Sequence, residues 1–511
     1  MAHLASRRTR ALALPVGLAL TASIGFLPAA TATAAPTGEV SAAVPADGPK
    51  LSYVVNTKGG HGTVKQVKKA IAKAGGTIVI AYEQIGVIVV HSQNPDFGNT
   101  IRRARGVESA GATRTNPIVP QATNDVGAVA QPLTAAQAAA AAGKATAGQD
   151  PLEPLQWDLP AIKADKAHEK SLGSKRVTVA VIDTGVDDTH PDLAPNFDRA
   201  ASANCVSGAP DTTDGSWRPA AGESDHGTHV AGTIAAAKNG VGVTGVAPGV
   251  KVSGIKVSNP GGFFYAESVV CGFVWAAEHG VEVTNNSYYT DPWLFNCKND
   301  PDQGALVEAV GRASKYAERR GTVNVAAAGN SKHDLAADEI VDETSPNDTE
   351  TVTRTINPRE CLDIPTMLPG VVTVSATGAK GLKSSYSNYG RGIIDVAAPG
   401  GDSTVYQAPE PPATNGLILS TLPGGKFGYK AGTSMASPHV AGVVALIRST
   451  HPHASPAQVK RLLTQQADAT ACGAPYDYNG DGTIDAVCEG GKQYNGFYGA
   501  GIVDALDAVR R

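Results

Sequence analysis

From Arg176 onward the chain alternates short β-type runs with helical runs, and this alternation constrains the fold more than any other feature. Arg176–Ile182 is a β run that ends at Asp183. His226–Ala237 is helical, Val250–Val257 a strand and Ala266–Ala277 a helix. Val281–Asn285 and Thr322–Ala328 are further strands, and Ser434–Arg448 is a strongly apolar helix. Strands that run into loops and then helices make a parallel α/β sheet, with ligands at the carboxyl ends of the strands. Of the 511 residues, 42 % are hydrophobic, enough for a sizeable core. At roughly 150 residues per domain, the length suits two to four domains, or one large domain with extras. With 18 % charged and 5 % aromatic residues, the chain is neither a coiled coil nor a highly charged disordered protein. The 43 basic and 47 acidic residues sum to −4. No basic excess exists to meet a phosphate backbone, so nucleic acid is not an expected partner.

The N-terminus reads as an export signal. Arg7, Arg8 and Arg10 precede an apolar stretch, Ala11–Leu27, broken by Pro15 and Gly17. Small residues at Ala32-Thr33-Ala34 then offer a cleavage site, so residues 1–35 read as a signal peptide. A membrane anchor is the rival reading, but the stretch falls short of about 20 clean apolar residues. The twin arginines leave the export route open. The expectation is a secreted, extracellular, monomeric protein with no stable membrane association. Six cysteines in an exported chain suggest three disulfides. Cys472 and Cys488 flank one loop and form the safest pair. For the rest, Cys205–Cys271 and Cys297–Cys361 are the guess.

After the signal, three blocks follow. In the first, residues 50–115, Leu51–Val55 reads as a strand and Thr63–Ala74 as a helix with apolar residues at Val64, Val67, Ala70, Ile71 and Ala74. Thr77–Ala81 and Gly86–Val90 read as strands and Asn99–Arg105 as a second helix, which suggests a small α/β sandwich. Residues 116–154 read as a linker and the place of proteolytic processing. Its stretch Ala135–Ala142 shows no apolar face large enough to dock. The third block, residues 155–511, holds the chemistry.

Four segments of that block matter. Val181-Ile182-Asp183-Thr184-Gly185 puts an acid where a buried strand ends, fixed and partly desolvated; such an acid suits orienting an imidazole, though many strands simply end in a turn-capping Asp. Asp225-His226-Gly227-Thr228-His229 opens a helix with a histidine on backbone that allows close approach. A metal pair of His226 with His229 is disfavoured, because three-residue spacing lacks the glutamate of HExxH. In Ala326-Ala327-Ala328-Gly329-Asn330, the small residues permit tight packing and Asn330 can present an amide, although a lone Asn is usually a turn former. Gly432-Thr433-Ser434-Met435-Ala436 sets Ser434 at the N-terminus of the apolar helix, where free N–H groups favour developing negative charge. Ser437 and His439, inside that helix, read as packing or capping residues.

Taken in order, these four segments resemble the subtilisin-like serine proteases, or subtilases. Asp before His before Ser is the subtilisin order, and no Gly-x-Ser-x-Gly elbow surrounds Ser434. The resemblance implies a subtilisin-like parallel sheet with helices on both faces, and an endopeptidase acting on protein or peptide substrates without a catalytic metal. It implies Ser434 as nucleophile, His226 as general base, Asp183 as the imidazole's orienting acid and Asn330 as an oxyanion donor. Block one then resembles the family's inhibitory propeptide, a partner that docks on the protease until it is cut away. The alanine-rich linker departs from members whose propeptide leads straight into the catalytic domain, which leaves the mature N-terminus open. Gly262 matches an edge that pairs with substrate, and Ser287 the opposite wall. There Ser287-Tyr288-Tyr289 replaces the family's usual Ser-Leu-Gly, which points to a reshaped pocket and narrower specificity.

Asp477, Asn479, Asp481 and Asp485 have the spacing of a calcium-binding loop, with Gly482 for the turn but Cys488 at the twelfth position. An acidic surface turn is the rival reading. Asp192 and Asn239 match positions of a family calcium site. Two other classes of protein compete with the enzyme reading: a catalytically inactive binding protein on the subtilase fold, and a cell-wall adhesion protein, for which no repeats or sorting-like tail speak.

Overall fold

A computed structural model describes residues 48–117, 130–403, 407–473, 476–478 and 480–510. The expected signal peptide, residues 118–129 of the expected linker, and Asn479 lie outside the described residues.

The first block forms an antiparallel sheet of β1 (Leu51–Thr57), β2 (Gly76–Tyr82), β3 (Val87–Ser92) and β4 (Val107–Ala112), in the order β2-β3-β1-β4. Helices α1 (His61–Lys73) and α2 (Phe97–Arg102) cover one face. Side chains alternate along each strand. Tyr53, Val55, Ile88 and Val90 therefore pack on Val64, Val67, Ile71 and Phe97, while Val54, Val87 and Val89 point the other way. Gly75 ends α1 with φ 83°, a conformation that suits glycine. Strand β4 was not expected; Val-Glu-Ser-Ala-Gly-Ala carries little of the branched and aromatic signal of a strand.

Residues 130–154 of the expected linker carry secondary structure. Gln131–Pro132 forms β5, and Thr134 caps α3 (Ala135–Ala142) through a reciprocal bond with Gln137. The expectation that this helix has no face to dock is corrected. Ala141 is buried in a cluster with Leu152, Leu155, Val243 and Tyr429, with Ala138 packed against it. A methyl group is enough to dock a helix when its neighbours supply the bulk.

Two short helices, α4 (Asp158–Ala161) and α5 (Ala164–His168), lead into the large domain. Its elements then run β6 (Thr178–Asp183), β7 (Ala203–Asn204), α6 (His226–Ala235), β8 (Lys251–Lys256), α7 (Ala266–Glu278), β9 (Val283–Asn286), β10 (Asn296–Cys297), α8 (Pro301–Arg319) and β11 (Val323–Ala327). A small hairpin of β12 (Ile340–Asp342) and β13 (Arg354–Ile356) precedes β14 (Cys361–Leu362), β15 (Val372–Thr377) and β16 (Val396–Pro399). Last come the hairpin β17 (Ile418–Leu422) and β18 (Lys426–Lys430), then α9 (Thr433–Thr450), α10 (Pro456–Gln466) and α11 (Ala505–Ala508). Seven strands form one parallel sheet in the order β16-β15-β11-β9-β6-β8-β7. Every residue of β6 is buried, as a strand covered on both faces must be. Val179 and Val181 face α6 and α9; Ala180 and Ile182 face α7 and α8.

Disulfides join Cys205 to Cys271, Cys297 to Cys361 and Cys472 to Cys488. Among the described residues, no helix is long and apolar enough to cross a membrane.

Candidate active site

The carboxyl ends of β6, β9 and β11 and the N-termini of α6 and α9 converge on one cleft. Asp183, the last residue of β6, is fully buried. Its Oδ1 accepts the Thr184 amide at 2.7 Å and lies 2.8 Å from His226 Nδ1. That bond assigns the Nδ1 proton and leaves His226 Nε2 as the acceptor nitrogen. Glycine at 227 makes the approach possible, since a Cβ there would stand 2.4 Å from the Gly185 carbonyl and 3.2 Å from the Asp183 Cβ.

Ser434 occupies the first turn of α9 and, with His226, lines a cavity of about 260 Å³. Its hydroxyl donates to the Ser287 carbonyl at 3.3 Å, and the Ser287 hydroxyl donates to the Ser434 carbonyl at 3.1 Å. Asn330 is held by its oxygen, because Oδ1 accepts both the amide and the hydroxyl of Thr433, each at 2.9 Å. The amide nitrogen is the part of that side chain left to donate. Asn330 Nδ2 and the Ser434 amide nitrogen lie in one neighbourhood: the point a Cβ on Gly432 would occupy is 3.5 Å from the first and 3.6 Å from the second.

Further along α9, the Ser437 hydroxyl donates to Asn285 Oδ1 at 2.7 Å, and His439 Nε2 lies 2.9 Å from Asp158 Oδ2. These buried contacts fix α9 against β9 and α4. His229 is also buried, which pushes its pKa down to about 3, and its Nε2 lies 3.1 Å from the Ile418 and Gly428 carbonyls. It thus turns away from His226, whose Nδ1 is taken by Asp183.

Gly262 and Ser287 both line the cavity. So do Tyr288 and Tyr289. Tyr288 is buried, stacks on Phe264 with ring centres 4.7 Å apart, and donates to Asn286 Oδ1 at 3.0 Å. Two residues that no motif marked, Asp291 and Asp363, also line it. Thr433 and Asn388 were missed as well. Asn388 donates to the Ala328 carbonyl and accepts the Ser331 and His333 amides, which holds the loop that carries Asn330.

The proposed metal residues divide. In the acidic loop, Asp477 accepts the Gly480 and Gly482 amides, Asp481 the Thr483 amide and Asp485 the Tyr478 amide. These carboxylates are turned onto their own backbone, and among the described residues no three His, Cys, Asp or Glu side chains group as a metal site. Asp192 differs. It is buried, its Oδ2 accepts the Val243 amide at 3.0 Å, and its Oδ1 has no hydrogen-bond partner among the described residues. Burial pushes its pKa up to about 7, and Asn239 lies beside it. An orphaned carboxylate oxygen among amide and carbonyl groups fits calcium, which prefers such oxygens.

The sequence profile of the subtilase family matches residues 174–501. The M-protease of Shouchella clausii is 32 % identical over 356 residues, spanning 70 % of each chain. Subtilisin Savinase of Lederbergia lenta is 32 % identical over 65 % of this chain and 97 % of its own. Among solved structures, the epidermin leader peptide processing serine protease of Staphylococcus aureus superposes over 90 % of this chain and 99 % of its own, with TM-score 0.63 and 24 % identity, a likeness of fold. Fervidolysin of Fervidobacterium pennivorans, described as a keratinolytic enzyme, covers 91 % of this chain and 61 % of its own, with TM-score 0.58 and 25 % identity. The chain therefore belongs to the subtilase family and is a subtilisin-like serine endopeptidase.

Proposed function

We propose that Asp183, His226 and Ser434 form the catalytic triad of a secreted endopeptidase made as a propeptide-inhibited precursor. The observation that carries the reading is the 2.8 Å bond between buried Asp183 and His226 in the cavity that also holds Ser434. Ser434 Oγ attacks the scissile carbonyl while His226 Nε2 takes its proton. Asp183 keeps the tautomer and stabilises the imidazolium, which then protonates the leaving amine. The tetrahedral oxyanion sits between Asn330 Nδ2 and the Ser434 amide, and water repeats the sequence on the acyl-enzyme. Substrate backbone pairs with the edge at Gly262 and the wall at Ser287.

The same reading makes residues 1–35 a signal peptide, 50–115 the inhibitory propeptide, 116–154 a linker and 155–511 the catalytic domain. Three disulfides support passage through an oxidising compartment. Calcium would supply structural stability at Asp192 and Asn239. Binding only the folded state, it raises stability by mass action. Asp192→Asn should lower the melting temperature by a few degrees in calcium and should cost nothing in chelator, where the buried carboxyl has no cation to meet.

A fluorophosphonate probe tests the triad. It should label the enzyme stoichiometrically at Ser434, and peptide mapping of the adduct reads the position. His226→Ala should stop the reaction. Labelling elsewhere, or none, would remove Ser434 from the role.

A further inference from the structure

We propose that the pocket beside Ser434 is built for a cationic side chain and that Asp363 selects it, so that the enzyme cuts after arginine or lysine. This rests on the triad reading and names the substrate class of that site.

Asp363 is 2 % exposed, yet it lines the cavity that holds His226, Ser434 and Asn330. Its Oδ1 has no hydrogen-bond partner among the described residues. Its Oδ2 lies 3.7 Å from the point a Cβ on Gly329 would occupy, directly beside the segment that carries Asn330. Burial pushes the carboxyl well above the usual range, against a smaller pull from Thr366. Asp291, 4 % exposed, lines the same cavity, with its oxygens on the Phe264 amide and Asn347 Nδ2. Burial, and then neighbouring Asp348, push it up to about 7. The Tyr289 phenol feels both acids and accepts from Asn347 at 2.8 Å.

No lysine or arginine is among the residues that line the cavity. A desolvated carboxylate without a partner costs several kcal/mol. Beneath an apolar substrate side chain Asp363 Oδ1 would stay unpaired, and Asp291 would keep only its two neutral donors, the Phe264 amide and Asn347 Nδ2. A guanidinium or ammonium would turn the same groups into charge-assisted bonds. The stacked planes of Phe264 and Tyr288, tilted by 2°, supply an apolar wall for the stem of a long cationic side chain. Among the described residues the two acids do not group with a third His, Cys, Asp or Glu, and the cation assigned to them here is one the substrate brings.

The test compares peptide substrates identical except for Arg, Lys, Leu or Phe before the scissile bond. Mature enzyme should favour Arg and Lys over Leu in kcat/KM by about a hundredfold or more. Asp363→Asn should shrink that ratio by about a hundredfold to a thousandfold, and Asp363→Glu should keep part of it. An enzyme that prefers Leu or Phe, or an Arg preference that survives Asp363→Asn, overturns the proposal. Should the variants fail to fold, the parent alone decides: benzamidinium should slow its labelling by the fluorophosphonate, and no protection overturns the assignment. The labelling also separates the two claims. A parent that labels at Ser434 but prefers apolar residues loses only the cationic pocket; one that does not label loses the triad, and the pocket assignment falls with it.

Discussion

The two main sheets solve the burial problem in opposite ways. The seven-stranded parallel sheet owns both of its covers, α6 and α9 on one face and α7 and α8 on the other. The four-stranded antiparallel sheet owns one, α1 and α2, and borrows the second. Val54, Val87 and Val89 pack on α7 and α8 of the large domain. Around this shared core the bonds are polar: Asn56 donates to the Ala305 carbonyl at 2.9 Å, and Tyr82 to the Gly208 carbonyl at 2.7 Å. A sheet with one private core and one polar-rimmed contact can leave; a sheet with two private cores cannot. This difference is what the proposed propeptide reading of residues 50–115 rests on.

Severing the two sheets is the step with the largest expected effect. Ser434→Ala should lower peptidase activity by about a millionfold, the size met in subtilisin. It should also leave the 50–115 segment joined to the enzyme in a pure preparation, read by mass spectrometry. Mature protein from that preparation, with no other protease present, would mean that the cut is not the enzyme's own.

The private core is the next place to press. Ile71→Ala removes a fully buried side chain and should destabilise the small sheet by about 2–5 kcal/mol. Maturation should slow, while the melting temperature of enzyme already matured stays at the parent value. Matured enzyme no longer contains residue 71, so the precursor decides: maturation at the parent rate would show that this core does not hold the small sheet together.

Arg312 on α8 donates to the carbonyls of Thr57, Ile85 and Gly86 at 2.9, 3.3 and 3.2 Å. Arg312→Ala leaves those acceptors bare at the contact and should weaken docking about tenfold to a hundredfold. The measure is a faster rise of activity once the chain has been cut.

A pH measurement sharpens the contrast further. Glu267 on α7 is buried by the contact, which would raise its pKa, but Arg114 above all, with Thr113, pulls it below the ordinary value. A lowered carboxyl favours docking above its undocked pKa, and that contribution disappears as pH falls through the lowered value. Arg114→Ala should therefore weaken docking most at neutral pH, and the gap from the parent should close on acidification. A gap that does not change with pH would place the role of Arg114 in its packing over the Tyr265 ring.

Sequence patterns reached some of this and not the rest. Thr178–Asp183 and Thr433–Thr450 were legible because each is a nearly unbroken apolar run and because a strand-ending acid and a glycine-led serine are local signals. Strands β15 and β16 and helix α8 went unread because they carry no catalytic motif, although Asp300-Pro301 and the apolar spacing Leu306, Ala309, Val310, Ala313, Ala317 mark α8. Strand β4 hid because glycine and alanine give no alternation. Asp363 was invisible for a different reason. It sits in Cys-Leu-Asp-Ile-Pro, a stretch like many others, and it becomes informative only when the chain brings it under Gly329. An acid within an apolar run was the one hint available.

Strand β5 has a consequence for handling the mature enzyme. Gln131 and Pro132 pair with Tyr429 and Gly428, which makes β5 the outer strand of the hairpin β17–β18. Trimming upstream of residue 130 keeps that edge capped, and Pro132, which has no N–H, blunts it. Trimming downstream of α3 would bare the backbone of β18 together with the apolar cluster around Leu417, Leu419 and Tyr429. Two ragged forms of equal activity would then differ in colloidal behaviour, the shorter one prone to self-association through an open strand edge.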